Sequence, residues 1–473
     1  MTDHIFTFTS SLAKKSKKKA IPIHIFEQGD FPAWIKKQES LLINQAKQAG
    51  FIAEPKQALS VFDENGDLST ILFGVSSPVY YLDTASLFQY IQKNFSKDFI
   101  SQNVFEIADA HEEDVANRIT LGWALGSYKF DLYKKRDDAI PTLIVPEACI
   151  LDLVEATFES TCILRNLINT PANDLGTDEL AEAAKDLAKH HKAKVKIIHD
   201  DELLKKNFPM IYNVGKASTR PPQLVDIKWG ESRHPKVTLV GKGIIYDTGG
   251  LNLKPGQYMR DMKKDMGGAA HALGVANMIM ELELPVQLRV LLPIAENAVA
   301  GNSYRPGDIL PTRKGISVEI CDTDAEGRLV LADALTYACE DEPDLVIDFA
   351  TLTGAARVAV GYDMPAYFTN KDDYIDDLRH ASVEVDDPCW PFPLFEGYDA
   401  NLNGDVSDIR NEGTGRAGHI EAALFLQRFI TPETDWIHLD CFAWEQNGKA
   451  GRPKGGAETG LRAILHLIRT TYV

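Results

Sequence analysis

The chain has 473 residues, enough for two or more domains, and its hydrophobic (44%) and charged (25%) fractions are ordinary for a globular protein. A net charge of −18 argues against broad nucleic-acid binding and against attraction to anionic membranes. Because no run approaches about 18 consecutive apolar residues and no apolar segment follows a basic start, we expect neither a membrane-spanning helix nor a secretory signal.

The first part of the chain, residues 1–155, has the pattern of a small α/β domain. Runs rich in β-branched and apolar residues at 21–26 and 142–145 predict strands. Segments with a helical spacing of apolar residues at 41–49 and 116–130 predict helices between them. These elements indicate a smaller N-terminal domain of the α/β class.

A basic run at 14–19 stands out in this domain because it contains lysine at every position except Ser16. We interpret it as a solvated loop. A nucleic-acid contact is the alternative interpretation, and it competes with the strong negative charge of the whole chain.

The second part, residues 156–473, predicts a larger domain that starts with a linker helix at about 151–169. Strand-like runs near 237–246, 286–292 and 344–350 alternate with helix-like segments, as in a sheet covered by helices. The predicted fold class is therefore α/β with two domains, in which the larger C-terminal domain contains a helix-covered mixed sheet.

The octapeptide Asp-Thr-Asp-Ala-Glu-Gly-Arg-Leu at 322–329 lies between a strand-like run and a helix-like run. In an extended segment Asp324 and Glu326 point the same way, and Arg328 follows on that side if the chain stays extended. Two carboxylates that face the same point repel each other unless a cation lies between them. Taken alone, the motif fits a metal site and a solvated acidic turn about equally well.

A second group of polar residues favours the metal site. A predicted buried strand at 237–246 contains Lys242 and leads into Asp247, and Asp265 comes just before a helix predicted to begin near Gly267. Ligands bind at the carboxyl ends of strands in open α/β sheets. With Asp324 and Glu326 the group has four negative charges, which two divalent cations would balance.

Together these segments resemble the leucine aminopeptidase (cytosol aminopeptidase) family of two-metal exopeptidases. The family signature Asn-Thr-Asp-Ala-Glu-Gly-Arg-Leu matches 322–329 except that Asp322 replaces the asparagine. Further matching blocks occur in the family's order at 169–173, 240–250, 262–268, 295–297, 305–308 and 350–355. The resemblance covers about 160–473, whereas the first 150 or so residues match only in length and position.

The resemblance implies a site for two divalent ions, with zinc or manganese expected and magnesium or cobalt as alternatives. One ion would be bound by Asp247, Asp324 and Glu326. The other would be bound by Lys242, Asp247, Asp265 and Glu326, so that Asp247 and Glu326 bridge the pair. Lys242 must be neutral to act as a ligand, and burial beside two cations favours that state.

The resemblance also implies two catalytic residues and a nucleophile, which is water activated by the two metals. Lys254 would stabilise the oxyanion that forms on the scissile carbonyl. Arg328 would hold a bicarbonate ion that acts as general base, since the guanidinium fork fits a planar anion. The plainer interpretations are a loop lysine at Lys254 and a salt bridge at a helix start for Arg328.

The family's pocket for the first substrate residue corresponds here to Met262, Thr351 and Gly354, with Leu352 near the chemistry. Met262 and Leu352 predict an apolar pocket for a leucine-like or methionine-like side chain. Phe442 stands where a small pocket residue is usual, and its ring would shrink or redirect the pocket.

We therefore expect an aminopeptidase that releases the N-terminal residue of short peptides in the cytoplasm. The six cysteines form no Cys-x-x-Cys pair, and such scattered thiols are typical of a reducing compartment. The resemblance implies a homohexamer, and we expect neither membrane nor nucleic-acid partners. Two alternatives are a DNA-binding regulator on the same scaffold, suggested by the lysine run, and a Mg²⁺-dependent phosphoryl-transfer enzyme that would not need Lys242.

Overall fold

The computed structural model describes residues 2–108, 110–413 and 415–473. The chain divides into two compact units. The small unit comprises Thr7–Glu159 with Asn447–Lys454, and the large unit comprises the residues up to Phe6 with Ser160–Gln446 and Gly455–Val473. The predicted fold class, α/β with a smaller N-terminal and a larger C-terminal domain, is confirmed. The division after residue 155 stays a prediction, because one long helix, Leu151–Asn169, runs through it.

The small unit contains a mixed sheet with helices. Its strands are β1 (Leu12–Ala13), β2 (Lys19–Phe26), β3 (Ala58–Phe62), β4 (Leu68–Gly74), β5 (Asn103–Ile107) and β6 (Leu143–Ile144). Its helices are α1 (Phe31–Ile35), α2 (Ser40–Gln48), α3 (Asp83–Asn94), α4 (Lys97–Gln102) and α5 (Glu113–Gly126), and α6 (Leu151–Asn169) follows. The strand order is β1-β6-β5-β2-β4-β3, with only β3 antiparallel to its neighbour among the described pairs.

The lysine run at 14–19 lies in the connection between β1 and β2, and it reaches into the first residue of β2. Its lysines are exposed. This agrees with the interpretation as a solvated loop.

The large unit contains the other elements. Its strands are β7 (Lys194–His199), β8 (Gln223–Trp229), β9 (Lys236–Gly241), β10 (Gly243–Asp247), β11 (Gln287–Asn297), β12 (Ile309–Pro311), β13 (Ser317–Glu319), β14 (Leu345–Ala350), β15 (Ala366–Thr369), β16 (Trp390–Pro391), β17 (Ile409–Arg410), β18 (Asp435–Asp440), β19 (Trp444–Glu445) and β20 (Gly455–Gly456). Its helices are α7 (Thr177–His190), α8 (Asp201–Lys205), α9 (Pro209–Gly215), α10 (Gly256–Met259), α11 (Gly267–Glu281), α12 (Gly327–Cys339), α13 (Gly354–Val360), α14 (Asp373–Glu384), α15 (Gly418–Gln427) and α16 (Leu461–Tyr472). Short 3₁₀ turns occur at Asp3–Phe6, Met262–Met266 and Glu396–Leu402.

The main sheet of the large unit has the order β16-β15-β18-β14-β9-β11-β8-β7, and β10 pairs with β11. The strands β18, β14, β9 and β11 are parallel, whereas β8 runs antiparallel to β11. In this register Ile347 of β14 lies between Leu239 of β9 and Ile437 of β18, and all three are buried. Parallel strands are usually covered on both faces, which explains their near-continuous apolar sequences.

Helix α11 packs in the interior of the large unit. It has an apolar sequence on all sides, and every residue from Gly267 to Met280 is buried. A helix that is hydrophobic all round must be covered all round. Its first turn is therefore held firmly next to Asp265, the residue that precedes it by two positions.

The predicted single strand at 237–246 is wrong in one respect, because the chain forms two strands with Lys242 between them. The backbone N–H of Lys242 donates to Phe349 O at 3.0 Å, and its carbonyl accepts from Ala269 N at 2.8 Å. A Cβ on Gly241 would lie 2.5 Å from Ala269 Cα, so the start of α11 packs too closely here for a larger residue. The break turns Lys242 toward the carboxyl edge of the sheet.

Across residues 2–108, 110–413 and 415–473, the structure contains no helix with the length and apolar character needed to cross a bilayer.

Candidate active site

The candidate active site lies at the carboxyl edge of the main sheet. Lys242 follows β9, Asn297 ends β11, Thr351 follows β14, and Phe442 lies two residues after β18. Because these strands are parallel, their carboxyl ends meet at one edge. Residues that are far apart in the sequence therefore come together here.

Lys242 lies at the centre of this edge and is 3% exposed. Its ammonium nitrogen lies 2.8 Å from Asp265 Oδ2 and 2.9 Å from Glu326 Oε1. It also donates to Thr351 O at 3.0 Å. Asp265 comes from the 3₁₀ turn before α11, and Glu326 immediately precedes α12. The lysine thus joins two carboxylates that different segments supply.

Asp247 completes this buried group. One carboxylate oxygen each from Asp247, Asp265 and Glu326 lies within 4.8 Å of the others. The N–H groups of Gly249 and of the Asn297 side chain both donate to Asp247 Oδ1 at 2.8 Å. These bonds fix the orientation of the Asp247 carboxylate and leave its Oδ2 atom to pair with Lys254.

Lys254 connects Asp247 with Asp324. Its ammonium nitrogen lies 2.8 Å from Asp247 Oδ2 and 2.5 Å from Asp324 Oδ1. Asp324 is the least buried of the four carboxylates, with 32% of its side chain exposed. The structure therefore brings all five predicted metal ligands and Lys254 into one connected cluster.

The segment around Asp324 is a turn, and the expected extended geometry is wrong. The side-chain oxygen Oδ1 of Asp322 accepts a hydrogen bond from Asp324 N at 2.8 Å, and helix α12 begins at Gly327. Arg328 therefore lies in the first turn of a helix. Asp322, which differs from the family signature, stabilises this turn as an asparagine side chain would.

Several residues that support the site were assigned no role from the sequence. Asn297 Nδ2 and Tyr304 Oη both donate to Thr323 O, at 3.0 and 2.7 Å. Thr323 Oγ1 in turn donates to Gly249 O at 2.6 Å. These bonds tie the loop after β10 to the turn before α12. Asn297, Thr323 and Gly249 each lie in a matching block, whereas no sequence signal pointed to Tyr304.

The ionisation of the cluster reflects burial and charge together. Burial by itself lowers the pKa of Lys242, but attraction to Asp265, Glu326 and Asp247 outweighs it and raises the pKa. The same balance raises the pKa of Lys254, chiefly through Asp247. Burial and the charge of Asp247 raise the pKa of Asp324 to about 7 and hold that of Glu326 well above its usual value. The carboxylates thus repel one another, and the two lysines offset part of that repulsion.

The donor set fits divalent cations. Asp265 Oδ2, Asp324 Oδ1 and both carboxylate oxygens of Glu326 have no hydrogen bond of ordinary geometry among the described residues, although lysine nitrogens lie close to three of them. Buried carboxylate oxygens without hydrogen bonds are costly unless a cation balances them. A cation among them would also reverse the balance at Lys242 and favour the neutral amine that can act as a ligand.

Arg328 is also buried and incompletely paired. Its Nη1 donates to Asn411 O at 2.6 Å, while its Nε has no hydrogen-bond partner among the described residues. Burial lowers the pKa of its guanidinium, an effect that Glu412 and Glu326 oppose. A buried guanidinium with a vacant N–H can accept a small planar anion.

Two of the four predicted substrate-binding residues adjoin Asp265. Met262 begins the 3₁₀ turn that contains Asp265, and Thr351 Oγ1 donates to Asp265 Oδ1 at 2.7 Å. Leu352 N donates to Asp440 Oδ1 at 3.0 Å, and Gly354, where a Cβ would meet nothing within 4 Å, begins α13. Whether they bind the first residue of a peptide stays a prediction.

Phe442 lies between charged and aromatic neighbours. The Lys264 ammonium lies 4.6 Å from the centre of its ring, and the Arg357 guanidinium lies 5.7 Å from it. The Tyr362 ring packs at 4.6 Å between centroids. These contacts hold the Phe442 ring in place, whereas a flexible surface side chain would make no such contacts.

Comparison with known proteins places this site in a family. Residues 162–465 match the cytosol aminopeptidase family, catalytic domain, and residues 21–146 match the M17 aminopeptidase, N-terminal domain. The chain belongs to the cytosol aminopeptidase family. This confirms the predicted family and the predicted enzyme class, a metallo-exopeptidase hydrolase. The expectation that the first 150 residues match only in length and position is wrong, since they have a family match of their own.

Individual relatives agree with this assignment. A probable cytosol aminopeptidase of Syntrophotalea carbinolica is 38% identical over 365 residues, which cover 73% of each chain. The crystal structure of cytosol aminopeptidase from Coxiella burnetii has a TM-score of 0.91 and 43% identity, covering 98% of this chain and 100% of that one. The bottromycin maturation enzyme BotP in complex with Mn has a TM-score of 0.85 and 29% identity, with 96% and 99% covered.

Proposed function

We propose that this chain removes the N-terminal residue from short peptides by a hydrolysis that depends on two divalent cations. One observation carries the proposal. Four carboxylates and Lys242, supplied by separate segments, converge at the carboxyl edge of the sheet with oxygen atoms that lack hydrogen bonds. The family assignment and the manganese complex of the similar enzyme BotP support it.

The ligand assignment follows the grouping of side chains. Asp247, Asp324 and Glu326 would hold one cation, and Lys242 with Asp265 would hold the other together with Asp247 and Glu326. Two cations bound there would polarise a peptide carbonyl and lower the pKa of water enough for it to attack near neutral pH. Manganese and zinc both accept such oxygen and nitrogen ligands, so either ion suits the set.

Lys254 would act on the oxygen of the scissile carbonyl. Its ammonium lies against Asp247 and Asp324, and attraction to Asp247, Glu326 and Asp265 raises its pKa and keeps it charged. A fixed ammonium in a partly buried site stabilises the negative charge that develops on this oxygen in the transition state.

Arg328 would hold a bicarbonate ion next to the cluster. The vacant Nε and the buried position of its guanidinium support this role. A bicarbonate held there would be placed to accept a proton from the attacking water, as the family resemblance implies.

Met262, Thr351, Leu352 and Gly354 would form the pocket for the first residue of the substrate. The Phe442 ring, fixed by Lys264 and Tyr362, would narrow this pocket. We therefore propose a preference for side chains smaller than leucine, in contrast to the leucine-like or methionine-like preference that Met262 and Leu352 suggest.

We further propose a homohexamer that acts in the cytoplasm on small or unfolded peptides. The family resemblance implies the hexamer, and the names of the relatives, which are cytosol aminopeptidases, support the cytoplasm. The DNA-binding alternative gains no support from the family assignment, and its one motivating feature, the lysine run, is an exposed loop. Light scattering of the purified chain would test the hexamer, with a mass near six times 52.5 kDa expected.

Metal stoichiometry tests the proposed site. Manganese should bind at two ions per subunit in the wild-type chain and at one in Lys242→Ala, because that variant removes a ligand of one site only. Lys371→Ala, which removes an exposed lysine paired with Asp435, is the matched control and should keep two ions. Two ions in Lys242→Ala would contradict the ligand assignment and would revive the phosphoryl-transfer alternative.

A further inference from the structure

Two histidines and a glutamate meet where helices α7 and α11 end. His190 is the last residue of α7, His191 follows it, and Glu281 is the last residue of α11. The Nε2 atoms of His190 and His191 lie 3.2 and 3.6 Å from Glu281 Oε1. One potential ligand atom from each residue lies within 4.8 Å of the other two. None of them belongs to the active site described above.

We propose that His190, His191 and Glu281 form a binding site for a divalent transition metal of the zinc class. Zinc binds histidine nitrogen and carboxylate oxygen at about 2.0–2.2 Å, which places neighbouring tetrahedral ligands roughly 3.3–3.6 Å apart. The two nitrogen-to-oxygen distances, 3.2 and 3.6 Å, lie close to this separation.

The ligand types select the kind of metal. Two imidazoles with one carboxylate suit zinc, cobalt, nickel and copper, whereas magnesium and manganese favour sites made of oxygen alone. Burial lowers the pKa of His191, and a neutral ring is the form that binds metals. The site should therefore distinguish itself from the carboxylate-rich active site by its preference for zinc over manganese.

Neighbouring residues orient the His191 ring. Its Nε2 lies 2.9 Å from Asn277 Oδ1, and the Asn277 amide donates to Ser160 Oγ at 2.9 Å. Asn277 is buried, so this chain holds Nε2 against Asn277 Oδ1, with Glu281 Oε1 3.6 Å away. A bound metal would replace the proton that Nε2 shares with these oxygens, and Asn277 Oδ1 offers a further oxygen ligand.

The ends of both helices add to the attraction for a cation. The carboxyl end of a helix has a partial negative charge, and α7 and α11 both end at this point. The exposed Lys189 and Lys192 oppose that attraction. These lysines adjoin the histidines in the sequence, so salt screens their charges only in part, and bonds to the ligands must supply the affinity.

The site is separate from the active site although one helix leads from one to the other. Helix α11 begins at Gly267, two residues after Asp265, and Glu281 lies fourteen residues further on. At 1.5 Å per residue the two ends are about 21 Å apart. No residue or metal can serve both sites at that distance.

Zinc content at equilibrium tests the proposal. The wild-type chain, His190→Ala, Glu281→Gln and the control His380→Ala, which changes an exposed histidine on α14, would be dialysed against the same free zinc concentration. The first and last should hold one zinc ion more per subunit than the two cluster variants. All four proteins should hydrolyse leucine p-nitroanilide at the same rate, because the changed residues lie outside the active site. Equal zinc content in all four would overturn the proposal.

A copper spectrum gives a second readout that does not depend on the number of bound zinc ions. Electron paramagnetic resonance of the wild-type chain with one added Cu²⁺ should show coupling to imidazole nitrogen. His190→Ala should lose part of this coupling and bind the ion at least about tenfold more weakly. Loss of a residue that only hydrogen-bonds to a metal ligand already costs about that much, and loss of the ligand itself should cost no less. Unchanged coupling and affinity would count against the site even if zinc contents differed.

Discussion

Gly327 lies directly against the side chain of Lys242. A Cβ on Gly327 would come within 2.5 Å of Lys242 Cε and 2.7 Å of its Nζ. A Cβ that close would force the end of the Lys242 side chain to move, so glycine at the first residue of α12 lets the lysine reach Asp265 and Glu326. The glycine of the signature octapeptide is thus explained by packing against a lysine that lies 85 positions earlier in the sequence.

We predict that Gly327→Ala displaces the Lys242 ammonium and lowers kcat/KM at least about a hundredfold, the cost expected for a misplacement of about 1 Å. Overpacking should also destabilise the fold by about 1–3 kcal/mol. Gly301→Ala is the control, since a Cβ there would meet nothing within 4 Å. Full activity of Gly327→Ala would mean that the position of Lys242 does not matter for the reaction.

Replacing Lys254 should separate catalysis from metal binding. Lys254→Met removes the proposed oxyanion donor and should lower kcat by about 10²–10³, while the two metals stay bound. Lys314→Met removes another partly buried lysine, which donates to Arg428 O, and should leave kcat unchanged. A Lys254→Met enzyme that lost metal but kept its kcat when reloaded would assign this lysine to the assembly of the site and not to the reaction.

The local pattern of the sequence was sufficient for several of the longer elements. The helix at 151–169 and the helix that begins near Gly267 follow from the sequence pattern, and the structure has them at those places. The break at Lys242 could not be predicted in this way. It depends on the close packing of α11 against Gly241, which is a tertiary contact.

The residues that support the carboxylate and lysine cluster could not be predicted from the sequence for a related reason. Asn411 holds the turn before α12 by accepting from Cys321 N at 2.7 Å and donating to Asp322 O at 2.6 Å. It lies about 90 positions away from that turn, so no spacing rule connects them. Asp324 and Glu326 were recognised as a pair, but the turn that orients them is set by the Asp322 side chain and by such distant bonds.

Asp333 should make the stability of the protein depend on pH. Burial in α12 raises the pKa of its carboxyl to about 7, although backbone N–H donors from Arg313, Met210 and Ile211 oppose this. Between about pH 4 and pH 7 the folded chain therefore holds a proton that the unfolded chain has released, and stability falls as the pH rises. The Tm of the wild-type chain relative to Asp333→Asn should decline across this window and level off above about pH 8. A constant difference in Tm would show that Asp333 does not titrate there.

Phe442 should control the choice of substrate. Removing its ring in Phe442→Ala opens the pocket, so kcat/KM for leucine amide should rise about tenfold or more relative to alanine amide, as expected for a few methylene groups in an apolar pocket. Comparison of the leucine, alanine, glycine and methionine amides would measure this. Phe395→Ala removes an exposed ring and is the control. An unchanged ranking in Phe442→Ala would show that the ring does not line the pocket.

The most direct test is hydrolysis of leucine p-nitroanilide by metal-stripped protein, before and after addition of Mn²⁺ or Zn²⁺, beside the N-acetylated substrate. The proposed function predicts cleavage that returns with metal and only for the substrate with a free amine. Cleavage of neither substrate by protein that has bound two metals per subunit would contradict it, and cleavage of the acetylated substrate would contradict the exopeptidase assignment.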